Sequence, residues 1–258
     1  MTQPSHADSV VLVTGAGRGI GRAIADAHAA TGAKVIYLDQ DAELAADAAK
    51  AATARGAATL GFAADVTDEA AVRAAVARGV EAFGPITALV NNAGISPKSG
   101  ADGRKAPIWE MGADEWRRVV EVNLTGAFLC AAAVAPMMRA ARRGAIVSLS
   151  SVAGRTFLDL VGVHYAATKA GLIGFTKHLA GELGPYNVTV NALAPGRIDT
   201  PLMRGTAASV NEAARLATPL QRLGQPEDVS AVCLFLTSSA ARFVTGQVID
   251  VSGGWLMT

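Results

Sequence analysis

The chain has 258 residues, half of them hydrophobic, and its 23 basic and 22 acidic side chains nearly cancel. That length allows one large α/β domain or two small ones with a sizeable core, and the balanced charge excludes the basic footprint of a nucleic-acid partner. The polar start, Met1 to Ser9, has no signal-peptide plan, and the most apolar stretch, Gly126 to Met138, is too short to span a bilayer, so a cytoplasmic protein without a membrane partner is expected. Short β-branched runs then alternate with longer alanine-rich segments. Strands are expected at Val10 to Val13, Lys34 to Leu38, Thr59 to Ala63, Ala88 to Asn91, Gly144 to Ser150, Thr189 to Ala194 and Gln247 to Asp250. The strongest helical segments are Ile20 to Thr31, Ala42 to Arg55, Glu69 to Phe83, Ala113 to Ala140, Tyr165 to Leu183 and Pro226 to Leu236, with Thr67 or Asp68 capping the third. This alternation is that of a doubly wound parallel sheet of seven strands with helices on both faces, a single-domain Rossmann fold. No Pro, Gly or Ser-rich linker divides it, so residues 1–258 read as one domain with a flexible N-terminus (1–8) and two long loops, Ile95 to Trp109 and 196–219, the latter carrying a short helix.

Thr14-Gly15-Ala16-Gly17-Arg18-Gly19-Ile20-Gly21 follows an apolar strand and opens a helix. Glycines there let the backbone turn and approach a pyrophosphate, and the unpaired amides of the helix start attract its charge. Asp39 lies just past the second strand, 24 residues beyond Gly15, where a carboxylate accepts hydrogen bonds from ribose hydroxyls and repels the extra phosphate of NADP. Arg18 pulls the other way, since a basic side chain in the glycine loop could meet a 2′-phosphate; the sum favours NAD. Cys130 and Cys233 lack metal-ligand spacing and read as buried thiols, so no metal is expected.

Tyr165 and Lys169 stand four residues apart, on one face of a helix. A tyrosine ordinarily titrates near pH 10, roughly three units too high to exchange a proton readily at neutral pH. A neighbouring ammonium favours its ionised form.

Taken in order, Thr14-Gly15…Gly19…Gly21, Asp65-Val66, Asn91-Asn92-Ala93-Gly94, Asn123, Ser151, Tyr165…Lys169, Pro195-Gly196 and Thr200 resemble, over nearly the whole chain, the short-chain dehydrogenase/reductases with a Thr-Gly-x-x-x-Gly-x-Gly motif. The resemblance implies a catalytic set of Asn123, Ser151, Tyr165 and Lys169. Tyr165 moves the proton, Ser151 donates to the substrate oxygen, Lys169 lowers the phenol pKa and grips the nicotinamide ribose, and Asn123 holds a water linking Lys169 to solvent through backbone groups. Ser148 and Ser150 compete with Ser151, which is preferred because it immediately precedes the small run Val152-Ala153-Gly154. The same resemblance assigns cofactor contacts to Gly15, Arg18, Gly19, Ile20, Gly21, Asp39, Asp65, Val66, Asn92, Ala93, Gly94, Tyr165, Lys169, Pro195, Gly196, Ile198 and Thr200, and gives Asn191 a structural role.

Ser151 and Tyr165 are 14 residues apart, one more than expected of close relatives, so a longer loop around Arg155 to Val163 faces the substrate. Ser96, Lys98, Arg104, Lys105, Trp109, Arg155 and His164 are candidates to border that small-molecule substrate. Three functions stay open: an NAD-dependent oxidoreductase of a secondary alcohol or ketone, such as a polyol, hydroxy acid or hydroxysteroid; an NADPH-dependent reductase resembling the 3-oxoacyl-carrier-protein reductases; and a nucleotide-binding protein without catalysis. By family analogy, Val244 to Trp255 packs against a partner subunit, which implies a homotetramer.

Overall fold

Fifteen helices and strands alternate along the chain in a computed structural model that describes residues 6–100, 104–203 and 208–257. They are β1 (Val10–Thr14), α1 (Gly19–Ala30), β2 (Lys34–Asp39), α2 (Ala42–Thr53), β3 (Thr59–Ala63), α3 (Glu69–Phe83), β4 (Ala88–Asn91), α4 (Ala113–Val120), α5 (Gly126–Ala141), β5 (Gly144–Leu149), α6 (Val163–Leu183), β6 (Val188–Pro195), α7 (Ala208–Ala217), α8 (Pro226–Thr237) and β7 (Val248–Val251). The strands form one parallel sheet in the order β3-β2-β1-β4-β5-β6-β7. Successive residues of a strand face opposite sides, and here both sides are covered. Val11, Val13, Val35 and Val147 meet Ile24 of α1, Ala48 of α2 and Val229 of α8, while Leu12, Ile36, Leu89 and Ile146 meet Val72 of α3, Val134 of α5 and Leu183 of α6. Burial on both faces is why these strands read as unbroken apolar runs. The order reverses between β1 and β4, and at such a switch point the crevice at the carboxyl ends of the strands takes the ligand.

Two helix starts are fixed by carboxylates: Asp41 accepts from the amides of Glu43 and Leu44 on α2, and Asp68, rather than Thr67, accepts from Ala71 on α3. Cys130 and Cys233 lie one in each core layer, and burial raises both thiols, that of Cys130 to about 12.

Three expectations change. The single helix expected over Ala113 to Ala140 is two helices joined by a π-type turn at Glu121–Thr125. Asn123 at the middle of that turn is buried and hydrogen-bonds away from its own helix, to Ile95 and Thr168, which favours the wider turn. The whole run, Ala113–Ala141, is long and apolar enough by length and composition to cross a membrane, but its apolar side chains Cys130, Val134 and Met138 are spent on the sheet. Of the expected flexible N-terminus, residues 1–5 lie outside the described residues, and His6 is docked. It is buried, its amide donates to the Thr31 carbonyl and its ring nitrogens lie 3.2 Å from Thr31 Oγ1 and Thr237 Oγ1. Finally, α6 begins at Val163, two residues before Tyr165, which puts His164 in its first turn. The short helix expected in loop 196–219 is α7.

Candidate active site

A cavity of about 340 Å³ opens at the carboxyl ends of the strands, along the β1/β4 switch point. At one end the chain leaves β1 through the glycine turn. Gly19 sits in left-handed backbone (φ 60°), and a Cβ on Gly21 would stand 2.2 Å from the Gly15 carbonyl oxygen, so only glycine lets α1 begin this close to β1. The turn is tied to the neighbouring strand: Thr14 Oγ1 accepts from the amides of Asn92 and Ala93 (both 3.0 Å), and Asn92 Nδ2 donates to the carbonyls of Thr14 and Gly15. Asn91 acts behind them, donating to the Ala127 carbonyl. Asp39, at the end of β2, accepts from the Gly17 amide at 2.9 Å through Oδ2 and from the Asp41 amide at 3.1 Å through Oδ1. A carboxylate has about four lone-pair sites, so after those two bonds it still has acceptor capacity toward the cavity it borders. Asp65 is held by Thr67, whose amide and hydroxyl both donate to Oδ1, and Val66 is packed into the core.

At the other end stand Ser151, Tyr165 and Lys169. The serine hydroxyl accepts from the Ala153 amide at 3.1 Å and hydrogen-bonds the Tyr165 phenol. Lys169 is buried, donates from Nζ to the Leu149 carbonyl at 2.6 Å and lies 5.4 Å from the centre of the Tyr165 ring. Burial pushes the phenol above its ordinary value, partly offset by the Ser151 hydrogen bond, and pulls the ammonium of Lys169 down to about 8. The Ser151 hydrogen bond is what opposes burial at the phenol, and the Lys169 ammonium beside it is itself desolvated and engaged with a carbonyl. The rival serines separate by geometry. Ser150 donates to the Lys169 carbonyl at 2.7 Å, and Ser148 is fully buried in β5 and does not border the cavity.

Every residue expected at the cofactor, Gly15, Arg18, Gly19, Ile20, Gly21, Asp39, Asp65, Val66, Asn92, Ala93, Gly94, Tyr165, Lys169, Pro195, Gly196, Ile198 and Thr200, borders this one cavity, as does Ser151. Asn123 does not; it sits behind the wall, its Oδ1 accepting from the Ile95 amide and its Nδ2 donating to the Ile95 carbonyl and Thr168 Oγ1. Of the substrate candidates, Ser96 and Lys98 reach the cavity. The others do not. Lys105 pairs with Asp159 at 2.8 Å, Arg155 with Asp250 at 2.8 Å and buried His164 with Glu115, while Arg104 and Trp109 are exposed and do not border the cavity. Asn191 bridges β6 to the start of β7, donating to the Val244 carbonyl and accepting from the Gln247 amide. Sequence reasoning missed the apolar wall of Leu158, Leu160, Val161, Met203 and Trp255. The unusual length of the Ser151 to Tyr165 loop was the one signal for the first three.

The glycine turn against the switch point, the carboxylate ending β2 and the Ser-Tyr-Lys group across the crevice define a nicotinamide-dependent dehydrogenase or reductase of Rossmann type. Comparison with known proteins agrees: a family model described as Enoyl-(Acyl carrier protein) reductase matches residues 15–256. A 3-oxoacyl-[acyl-carrier-protein] reductase of Synechocystis sp. is 41% identical, over 96% of this chain and 97% of its own. A cis-4-hydroxycyclohexanecarboxylate dehydrogenase of Sinomonas cyclohexanicum is also 41% identical, over 97% and 98%. Among solved structures, a 3-oxoacyl-[acyl-carrier protein] reductase with bound NAD from Brucella melitensis superimposes with a TM-score of 0.92 at 48% identity, covering 99% of this chain and 94% of the other. The chain belongs to the short-chain dehydrogenase/reductase family.

Proposed function

We propose that the protein is an NAD-linked oxidoreductase that interconverts a secondary alcohol and its ketone, on a substrate with a largely apolar body. The observation that carries this is one cavity with Asp39 at its nucleotide end and Ser151, Tyr165 and Lys169 at the other. A glycine turn packed close against the neighbouring strand, beside a carboxylate with spare acceptor capacity, fits the pyrophosphate and adenosine end of NAD and opposes a 2′-phosphate. The similar Brucella reductase holds NAD. Bound NAD supplies the hydride acceptor. The chain supplies the rest. Ser151 accepts from an amide, and its one proton, which faces the Tyr165 phenol, would turn to the substrate oxygen when substrate binds. Tyr165 takes the carbinol proton in oxidation and returns it in reduction. Lys169 spends one donor on Leu149 and has two more for the nicotinamide ribose and a proton path. Asn123 spends both side-chain protons on Ile95 and Thr168 and accepts from the Ile95 amide, which supports a water relay that runs through backbone groups.

The apolar wall points away from polyols and toward an acyl chain, a ring or a steroid. Within that class a 3-oxoacyl thioester is favoured by the naming of the Synechocystis and Brucella relatives, and a cyclic hydroxy acid by that of the Sinomonas enzyme. Nicotinamide absorbance should be followed with NAD and NADP, and their reduced forms, across a polyol, 4-hydroxycyclohexanecarboxylate, a hydroxysteroid and a 3-hydroxyacyl thioester with its ketone. Faster turnover with NAD on an apolar-bodied member is expected; exclusive use of NADP, or of the polyol, overturns the cofactor or the substrate part. A homotetramer is the proposed assembly, supported by family analogy and checked by light scattering.

A further inference from the structure

His164 precedes the catalytic tyrosine, yet it does not border the cavity, and no part of the ring reaches solvent. Both of its nitrogens are committed. Nδ1 accepts from the Tyr165 amide at 2.6 Å, a donor it shares with the Gly162 carbonyl at 3.1 Å, and Nε2 lies 2.8 Å from Oε1 of Glu115 on α4. An imidazole whose Nδ1 accepts carries its proton on Nε2, so the ring is the neutral Nε2–H tautomer and donates to the carboxylate. Glu115 is also hydrogen-bonded by Ser99, and these two bonds, that of Ser99 foremost, hold its carboxyl below the ordinary range. Ser99 follows directly on Lys98, which borders the cavity. The fit is tight on the far side too: a Cβ on Gly162 would stand 2.5 Å from Cε1 of His164. A leucine would fill this space without desolvating an imidazole or pinning a carboxylate. What the polar arrangement adds is direction, a fixed chain of bonds from the cavity loop through α4 to the turn that carries Tyr165.

We infer that His164 is a positioning residue for Tyr165. Anchored by Glu115, it holds the first turn of α6 so that the phenol stays in register with Ser151, and it couples that turn to the loop bearing Lys98. The inference rests on the reading of Tyr165 as the proton-transfer group.

The test compares His164→Leu, Glu115→Gln, Glu115→Leu, Gly162→Ala and the double variant Gly162→Ala/His164→Leu, on the fastest member of the substrate panel, with kcat expressed per NAD-binding site. His164→Leu should lower kcat by about 10- to 100-fold, the scale of a misplaced reacting group, with the KM for NAD unchanged within about twofold. Glu115→Gln, which still offers an amide oxygen, should lose less than Glu115→Leu. Gly162→Ala acts by displacing the ring, so its loss should largely vanish in the His164→Leu background. A His164→Leu kcat within about threefold of the original, or losses that multiply in the double variant, overturns the inference. Nitrogen-15 spectra of histidine-labelled, NAD-loaded protein need no variant and no turnover: a neutral Nε2–H ring at pH 7 is expected for His164, and an imidazolium or Nδ1–H ring overturns the assignment. Turnover by the unmodified protein tests the oxidoreductase reading; the variant ratios and the tautomer test the positioning role.

Discussion

Burial acts on Tyr165 and Lys169 in a shared direction, toward neutrality: it raises the phenol and lowers the ammonium to about 8. Below pH 8 the lysine nevertheless keeps its proton, so at pH 7 it can still donate to a ribose hydroxyl while the tyrosine holds the proton that reduction needs. Removing the phenol oxygen therefore removes the acid/base while leaving the Lys169 part of the cofactor grip in place. Tyr165→Phe should lower kcat by about 10² to 10⁴, the usual range for a lost general acid/base, and NAD affinity by far less. Steady-state kinetics beside an NAD titration checks both halves, and near-normal turnover would remove Tyr165 from the mechanism. Asp39 works by charge rather than by chemistry. Asp39→Ala should shift the NAD-to-NADP ratio of kcat/KM toward NADP by about tenfold or more, since it removes both the ribose acceptor and the like charge facing a 2′-phosphate. An unchanged ratio would place cofactor selection elsewhere.

Elements are fastened to one another by a few polar ties whose strength depends on protonation. His28 on α1 is buried, its Nδ1 2.8 Å from the Ile24 carbonyl and its Nε2 2.8 Å from Thr237 Oγ1 on α8, with His6 edge-on at 5.1 Å. Desolvation, foremost, lowers its pKa from 6.5 to about 4. A folded-state value below the unfolded one means the unfolded chain binds the proton first. The stability is whole above pH 6.5 and is lost as pH falls toward 4, by roughly 3 kcal/mol at most for this group. Urea titrations at pH 7 and pH 4.5 should show a smaller loss in His28→Gln than in the original chain; equal losses would show that other groups drive the acid response. The glycine turn is the other junction under tight steric control. Gly21→Ala drives a methyl into the Gly15 carbonyl and Asn92 and should weaken NAD binding by about tenfold or more, measured by calorimetry. The same contrast decides what the sequence could reveal. β1, β4 and β6 were legible because double burial leaves a run of apolar, β-branched residues, and the glycine turn, Asp39 and the Tyr-Lys pair because each needs a specific residue type at a fixed spacing. The π turn at Asn123 and the docking of His6 were not, and of the apolar wall the loop carrying Leu158, Leu160 and Val161 was legible but its apolar contact with the cavity was not. Each depends on a partner far along the chain, Thr168, Thr237 or the cavity itself, and none leaves a local period behind.

At the scale of the whole molecule the cavity is a seam. One wall comes from the end of β2 and the glycine turn that follows β1, the other from the ends of β5 and β6 and the first turn of α6, and among the described strands the β1–β4 ladder joins those of the first half to those of the second. A dinucleotide lying along it would touch both halves at once and would bind the folded chain but not the unfolded one. By linkage, NAD at 100 times its Kd should add about 2.7 kcal/mol to folding. For a chain of this size each kcal/mol is worth roughly 2–4 °C in Tm, so saturating NAD should raise the midpoint by roughly 5–10 °C. NADP at the same concentration should raise it less, because Asp39 opposes the added phosphate, and the gap between the two should close in Asp39→Ala. Scanning calorimetry over a cofactor titration reads all three without a substrate. Equal shifts by NAD and NADP in the original chain would overturn the cofactor preference while leaving the dinucleotide site in place, and no shift from either would overturn the site itself.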